Sequence, residues 1–348
     1  MASLRDVAAR AGVSNATVSR VLSESLHPVR EETRERVLAA ARDLEFHPNM
    51  LARSLVTART HVLGVIVHDV SDPYFGEIVR GLEDAANLRD HRVFVCSSDR
   101  DPERELAYVR ALMGHRADAI IFAGGVIEDR AYQAELRRLL SAFRTLGGVV
   151  VTLAPHIHRA PSVTFDNLAA TRDMTSYLLA LGHRRIGFIA GPERIRTSAV
   201  RLAGHREALE TIGEAFDPDL VEDGGFTTEG GAKATVELLD RRPDISAIFA
   251  ANDVMAFGVL HALAGMGVQV PEDVSVAGFD DIQLAGFALS PLTTVRVPMS
   301  ELGQLGAQVA LNALAGGRVR SIRLPTEIVV RDSTRPLHIQ LHIQGEGR

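Results

Sequence analysis

Residues 4–22 read LRDVAARAGVSNATVSRVL. Leu4, Val7, Ala8 and Ala11 recur at helical spacing, and a second apolar stripe runs through Val18, Val21 and Leu22. Gly12-Val13 separates the two stripes, and glycine takes the left-handed backbone that a sharp turn needs. Ser14 then stands at an N-cap position, its side-chain oxygen placed to accept from the amide of Ala16 or Thr17. Two short helices around a Gly turn describe a helix-turn-helix. Spacing alone describes a generic αα-hairpin equally well.

Outward from this stretch, a third helix is expected over Glu31–Glu45, with Val37, Leu38, Ala41 and Leu44 on one face. Pro48 ends it and opens a short amphipathic segment, residues 49–56. Eight residues rarely hold a helix alone in water, so this segment reads as a linker or as a helix that needs a partner. From residue 62 the texture changes. Strand-like runs at 62–67, 93–96, 119–122 and 149–153 alternate with helical patterns at 75–88 and 103–113. That alternation indicates βαβ units and a parallel sheet. The plan then repeats: residues 185–191 echo 63–67, and 245–251 echo 117–123. Two α/β halves of one plan imply two lobes with a cleft between them, and ligands of open parallel sheets lie at the carboxyl ends of strands.

Composition narrows the function classes. The 348 residues are 46 % hydrophobic and 24 % charged, which is ordinary for a globular chain of two or three domains. The single cysteine, Cys96, excludes a disulfide framework and any paired-Cys zinc site. The opening Met1–Arg5 lacks an apolar stretch and no 18-residue uncharged run follows, so a cytoplasmic location without membrane insertion is expected. Net charge is −6, yet residues 1–59 carry nine Arg against seven Asp and Glu. A mildly basic head on an acidic body is compatible with a DNA-contacting module, because only the contacting face must attract phosphate. Catalytic signatures are missing: there is no G-x-G-x-x-G, no P-loop, no G-x-S-x-G and no H-E-x-x-H. The 13 His form no metal-type cluster with acidic partners at helical spacing, so neither an enzyme nor a metal or cofactor site is expected.

Residues 4–22 resemble the helix-turn-helix signature of the LacI/GalR (lactose-repressor-like) family. The likeness continues through Thr33–Val37, Pro48–Leu55, Gly64–Phe75, Ser98–Arg104, Ala277–Asp281 and Leu292–Val295, in order along the chain. It covers about residues 3 to 335. The resemblance implies an α/β fold with an N-terminal helix-turn-helix headpiece (1–47) and a hinge helix and linker (48–60). A two-lobed core of parallel sheets like a type I periplasmic binding protein follows (61–335), then a tail (336–348) expected to be disordered. It further implies a homodimer that binds double-stranded DNA at a pseudo-palindromic operator and answers to a small-molecule effector, a sugar by preference.

The roles carried over fit the chemistry of the residues. Asn15 and Ala16, at the start of the second helix, are expected to face bases in the major groove. Asn pairs bidentately with adenine, and Ala offers apolar contact to a thymine methyl. Arg20 is placed to reach a guanine edge, while Thr17 and Ser19 suit phosphate contact; Thr17 is equally an ordinary helix-start residue. Asn49, Arg53 and Leu55 belong to the hinge, with Leu55 matching the family's minor-groove wedge; the alternative is a linker leucine packed on the core. By motif position Phe75, Asp166, Thr197, Arg201, Phe226, Asn252 and Asp280 match effector contacts. Carboxylate, guanidinium and amide groups around an aromatic plane suit a hydroxyl-rich ring. Asp280 is also placed to cap a turn, and Phe75 and Phe226 to fill a core. Ile195 stands where purine-responsive members carry Arg, which disfavours a purine.

Four departures matter. The loop before the third helix is one residue longer than usual, Arg30 occupies the usual Ser N-cap position, and His68 replaces a common Pro. The tail repeats Leu-His-Ile-Gln twice, with no sustained heptad for a tetramerising coil. A transporter's solute-binding protein would share the core but carry a signal peptide and no headpiece. An enzyme on the same core would turn its ligand over.

Overall fold

The computed structural model describes residues 2–22, 28–46, 59–156 and 160–337. The hinge residues Asn49, Arg53 and Leu55 lie outside them. The chain divides into two compact units, Met1–His61 and Val62–Arg348.

In the first unit, α1 (Leu4–Ala11), α2 (Asn15–Leu22) and α3 (Glu31–Asp43) surround a small core of Val7, Ala8, Ala11, Val18, Val21, Val37, Ala40 and Ala41. A capping box starts α1: Ser3 accepts from the Asp6 amide, and the Asp6 carboxylate accepts from the Ser3 amide at 2.7 Å. Gly12 ends it with φ +65°, the conformation expected of that glycine. Ser14 caps α2 as its position predicts, accepting from the Thr17 amide at 3.1 Å. Arg30 contributes no side-chain cap to α3, in line with its departure from Ser. One expectation is corrected here. Leu38 is 39 % exposed, because the face turned inward runs through Val37, Ala40 and Ala41 and leaves Leu38 on its flank.

In the second unit, β1 (Val62–Val67), β2 (Arg92–Ser97), β3 (Ala119–Phe122) and β4 (Val149–Thr152) form a parallel sheet in the order β2-β1-β3-β4. The helices α4 (Pro73–Asn87), α5 (Pro102–Gly114) and α6 (Arg130–Thr145) connect these strands. Asp72, Asp101 and Asp129 cap the three helices, and Pro73 and Pro102 occupy first-turn positions where a missing amide proton costs nothing. β5 (Val163–Phe165) leads into the second lobe, where α7 (Asn167–Ala180), β6 (Ile186–Ala190), α8 (Arg196–Thr211), β7 (Val221–Asp223), α9 (Thr228–Arg241), β8 (Ala247–Ala250), α10 (Asp253–Gly265), β9 (Ser275–Asp280) and β10 (Thr293–Arg296) follow. The chain returns through α11 (Met299–Leu314) and β11 (Ile322–Leu324), which pairs with β5, and ends its last sheet with β12 (Glu327–Val329). The second sheet has the order β12-β10-β9-β8-β6-β7, parallel except for β12. The sequence echo holds in three dimensions: β1 and β6 each sit second from an edge, outside β3 and β8 respectively. Both β3 and β8 are wholly buried, as strands covered by helices on both faces must be.

Residues 336 and 337, expected to belong to a disordered tail, are among the described residues. Leu337 donates its amide to the Leu181 carbonyl at 2.8 Å, and His183 bonds the Arg335 carbonyl at 3.1 Å. Residues 338–348 lie outside the described set.

Helix α11 lies against α4 with two glycines at the crossing. A Cβ on Gly81 would sit 2.0 Å from the Ser300 carbonyl oxygen, and one on Gly303 2.0 Å from that of Ile78. In an exposed helix Gly→Ala gains up to ~1 kcal/mol of propensity. Here the methyl meets rigid backbone, and overpacking of ~1–3 kcal/mol wins. Gly303→Ala is therefore expected to lower the thermal midpoint of the core by a few degrees; an unchanged or raised midpoint contradicts the close crossing.

Candidate functional site

Two surfaces are candidates. On α2, Asn15, Ala16, Ser19 and Arg20 are exposed, while Val18 and Val21 point into the core. A four-residue polar and small-residue face is thus presented by a helix whose opposite side is locked. Thr17 is half-buried, and its hydroxyl is tied to that of Ser14 at 2.9 Å. Its structural use at the helix start is therefore visible.

The second surface is a cleft in the core. It is lined from both lobes by strand ends and by the loops and first helical turns that follow them. His68, Phe75, Arg100 and Gly124 come from the first lobe, and Thr197, Arg201, Phe226, Asn252 and Asp280 from the second. The enclosed space is about 50 Å³, below the roughly 300–1,000 Å³ typical of small-ligand sites, so the lobes as they stand leave little free room between these side chains. Six of the seven residues expected from motif position line it. The seventh, Asp166, does not. It caps α7 by accepting from the Ala169 amide at 3.1 Å and pairs with Arg323 at 2.9 Å, on an adjoining, more open groove. Its neighbour Asn167 takes the cleft position instead. Ile195 lines the cleft as a buried apolar side chain.

Arg201, only 4 % exposed, organises the second lobe's side. Its Nε donates to Asn167 Oδ1 at 2.9 Å, its Nη2 to Asp280 Oδ1 at 3.3 Å, and its Nη1 to the Ala251 carbonyl. The guanidinium carbon lies 3.7 Å from the centre of the Phe279 ring. Burial pushes the Asp280 carboxyl well above the usual carboxylate range, against the pull of Arg201. Asp280 does not act as a turn cap; with φ +117° it ends β9 in an unusual backbone conformation that turns it toward Arg201. Asn252 caps α10 through the Met255 amide at 2.9 Å while facing the cleft. Phe75 is 6 % exposed and belongs to the main core as well as to the lining. Phe226, at φ +60°, packs beside both clusters and over the site of Gly191, where a Cβ would lie 2.1 Å from its ring. For these two aromatics, core and cleft are one position.

Residues missed in the sequence are His68, Asp72, Tyr74, Arg100 and Asn167. The signal was present, since each lies just after a strand and His68, Asp72, Tyr74 and Arg100 fall inside family-like motifs. What pattern does not tell is which side chain of a motif turns inward. Behind Asp280 stands a second buried carboxyl, Asp253, accepting from the Thr294 hydroxyl at 2.6 Å and the Ile282 amide at 2.9 Å. Gly278 leaves it room, since a Cβ there would be 2.2 Å from Asp253 Oδ1. Among the described residues no cluster of His, Cys, Asp and Glu could hold a metal. No helix there is long and apolar enough to cross a membrane.

The comparisons with known proteins agree with this geometry. A family model described as "Bacterial regulatory proteins, lacI family" matches residues 3–49. A second, "Periplasmic binding proteins and sugar binding domain of LacI family", matches residues 60–339. The HTH-type transcriptional repressor CytR of Escherichia coli K12 is 36 % identical over 338 residues, covering 97 % of each chain. The structure of the lac repressor dimer bound to operator and the anti-inducer ONPF superposes with a TM-score of 0.82 at 27 % identity, over 96 % of this chain and 99 % of that one. The complex of the transcriptional regulator CelR with cellobiose gives 0.69 at 33 % identity, over 96 % of this chain and all of that one.

Burial holds the Asp253 carboxyl up to about 7, from 3.8. The folded chain then keeps a proton that the unfolded chain has lost, so this group's contribution to stability falls as pH rises from about 4 to about 7 and is flat above. His68 and His205, pushed down by burial to about 4 and about 3, act in the opposite sense below 6.5. The difference between Asp253→Asn and the parent chain isolates the carboxyl. Its thermal midpoint is expected to gain several degrees on the parent between pH 4 and pH 8, as a shift of ~3 pKa units implies. A difference that does not change with pH contradicts a buried titrating Asp253.

Proposed function

The chain belongs to the LacI family of bacterial regulatory proteins, and from that premise we propose that it is a cytoplasmic, homodimeric transcriptional repressor, not an enzyme. Its operator affinity is set by a sugar-class effector in the core cleft. The observation that carries this reading is the pairing of two separate devices in one chain. One is a helix with Asn15, Ala16, Ser19 and Arg20 exposed. The other is a two-lobed cleft lined by Arg201, Asn252 and Asp280 together with Phe75 and Phe226. Asn and Arg supply bidentate readout of adenine and guanine, and Ser supplies phosphate contact that positions the helix without specifying sequence. Buried polar groups beside aromatic faces suit a hydroxylated ring, and the apolar Ile195 speaks against a purine.

Dimerisation is supported by apolar surface in the core. Phe94 and Val95 are exposed on β2, an edge strand, Leu88 stands out just before it, and Phe287 and Leu289 are exposed in the second lobe. Such surface on a soluble chain marks an interface. Two headpieces then meet two half-sites of a pseudo-palindrome. In this reading residues 1–47 read DNA, residues 48–60 form the hinge with Asn49 and Arg53 on the backbone and Leu55 as the minor-groove wedge, and residues 61–335 bind effector. A ligand alters DNA affinity only through unequal affinity for the DNA-competent and incompetent states.

Arg20→Ala is expected to weaken specific operator binding about 30-fold or more, from roughly 1–3 kcal/mol lost in each half-site. Ligand-induced thermal stabilisation of the core is expected to stay as in the parent chain. Fluorescence anisotropy with an operator selected from random DNA checks the first, and a thermal-shift series checks the second. Loss of both together removes the headpiece assignment.

A further inference from the structure

Arg100 is a cleft cation whose charge has not been used. It is 9 % exposed, yet among the described residues its guanidinium makes no hydrogen bond or ion pair, and its Nε is buried without a partner. Arg201, across the cleft, has an Asp, an Asn and a backbone carbonyl. Asp69, Asp72 and Asp99 act on Arg100 electrostatically, but none reaches contact. Asp99 is instead paired with Arg104, and Asp72 is occupied with the Tyr74 amide at 3.0 Å. Phe226 provides a ring 5.6 Å away, a cation–π contact that leaves the N–H groups without oxygen acceptors.

The backbone presents Arg100 deliberately. Asp99 and Arg100 both have positive φ, +52° and +59°, in a turn between β2 and α5. The turn is held by the Ser98 amide on the Val67 carbonyl at 2.9 Å and the Asp99 amide on the His68 carbonyl at 2.6 Å. Two consecutive non-glycine residues in the left-handed region are strained, and the same turn ties Arg100 to the strand end that carries His68. His68 lines the cleft too, 5 % exposed, and its Nε2 also lacks a partner. It meets Phe75 edge-on at 5.9 Å, and only a glycine at 124 leaves its ring room. On this wall the Arg100 fork is a donor without an acceptor, and the neutral His68 imidazole leaves its Nε2 unpartnered beside it.

We infer that the effector carries an oxyanion, a carboxylate or a phosphate, which docks on Arg100 beside His68 while its hydroxyls face Arg201, Asn252 and Asp280. Both oxyanions are acceptor-only groups that match the planar fork of a guanidinium. This rests on the proposed effector reading and refines it from a sugar to a sugar acid or sugar phosphate.

The test uses the full chain and matched probes: D-ribose, D-ribonate and D-ribose 5-phosphate, with D-glucose, D-gluconate and D-glucose 6-phosphate, each titrated by calorimetry into the parent protein, Arg100→Gln and Arg100→Lys. At least one charged form is expected to bind the parent tenfold or more tighter than its neutral relative. That preference should fall below about threefold in Arg100→Gln and partly persist in Arg100→Lys. Preference for the ribonate or gluconate assigns a carboxylate, and for an ester a phosphate. Ligand-free Arg100→Gln should melt no lower than the parent, since an unpaired buried charge has been removed. A clearly lower midpoint shows a structural partner for Arg100 and overturns the inference. So does a neutral sugar that binds as tightly as its charged forms, although that result leaves the sugar-effector reading intact. Silence from all six probes counts against both.

Discussion

Arg201 has left water for four partners at once: the Asp280 carboxylate, the Asn167 amide oxygen, the Ala251 carbonyl and the face of Phe279. Desolvating an ion costs several kcal/mol even after relaxation, so the pair with Asp280 alone would not hold it there. The remaining bonds and a desolvated cation–π contact, worth up to ~2 kcal/mol, make the arrangement stable. Those partners come from the start of α7, the end of β8 and the end of β9, while Arg201 itself rides on α8. One guanidinium therefore ties together four segments of the second lobe and holds Asn167 and Asp280 in that wall. Burial there is what pushes the Asp280 carboxyl above the usual carboxylate range.

The first lobe's wall is built on the opposite principle. His68 and Arg100 are buried with nitrogens unpaired, and Asp72 is pushed up by burial. One wall is satisfied before a ligand arrives and the other is left with groups to satisfy. A ligand that bridges them gains most from the second set of bonds, which exist only when both walls hold it. The lobes are linked by three passages of chain, after β5, after β10 and after β11, and the paired β5 and β11 form a ribbon among them. Such a linkage lets a bridging ligand bias the relation between lobes without unfolding either one.

Much of this was legible beforehand. Hydrophobic runs locate β1 and β3 to the residue, because strands buried on both faces read as continuous apolar stretches. The duplicated plan of the two sheets was visible from two echoes of a few residues. Ser14 and Gly12 announced the turn by backbone chemistry alone. What was not legible has a common cause: a motif names residues but not the direction of each side chain. Asp166 and Asn167 are adjacent, and the helix cap takes the aspartate and leaves the cleft to the asparagine. Leu38 reads as core by spacing, but the inward face runs through Val37, Ala40 and Ala41 and leaves it on the flank. Arg100 and His68 lie in recognisable motifs, yet their importance comes from bonds they do not make, and no sequence pattern records a missing partner.

The account stands or falls on coupling between cleft and DNA. The decisive measurement is a thermodynamic square on the full chain. It needs operator affinity with and without saturating ligand from the matched sugar series, and ligand affinity with and without saturating operator. The account predicts that both affinities change by the same factor, roughly 5- to 150-fold, because a coupling free energy is reciprocal. Operator affinity that is identical with and without a ligand demonstrably bound in the cleft would contradict it.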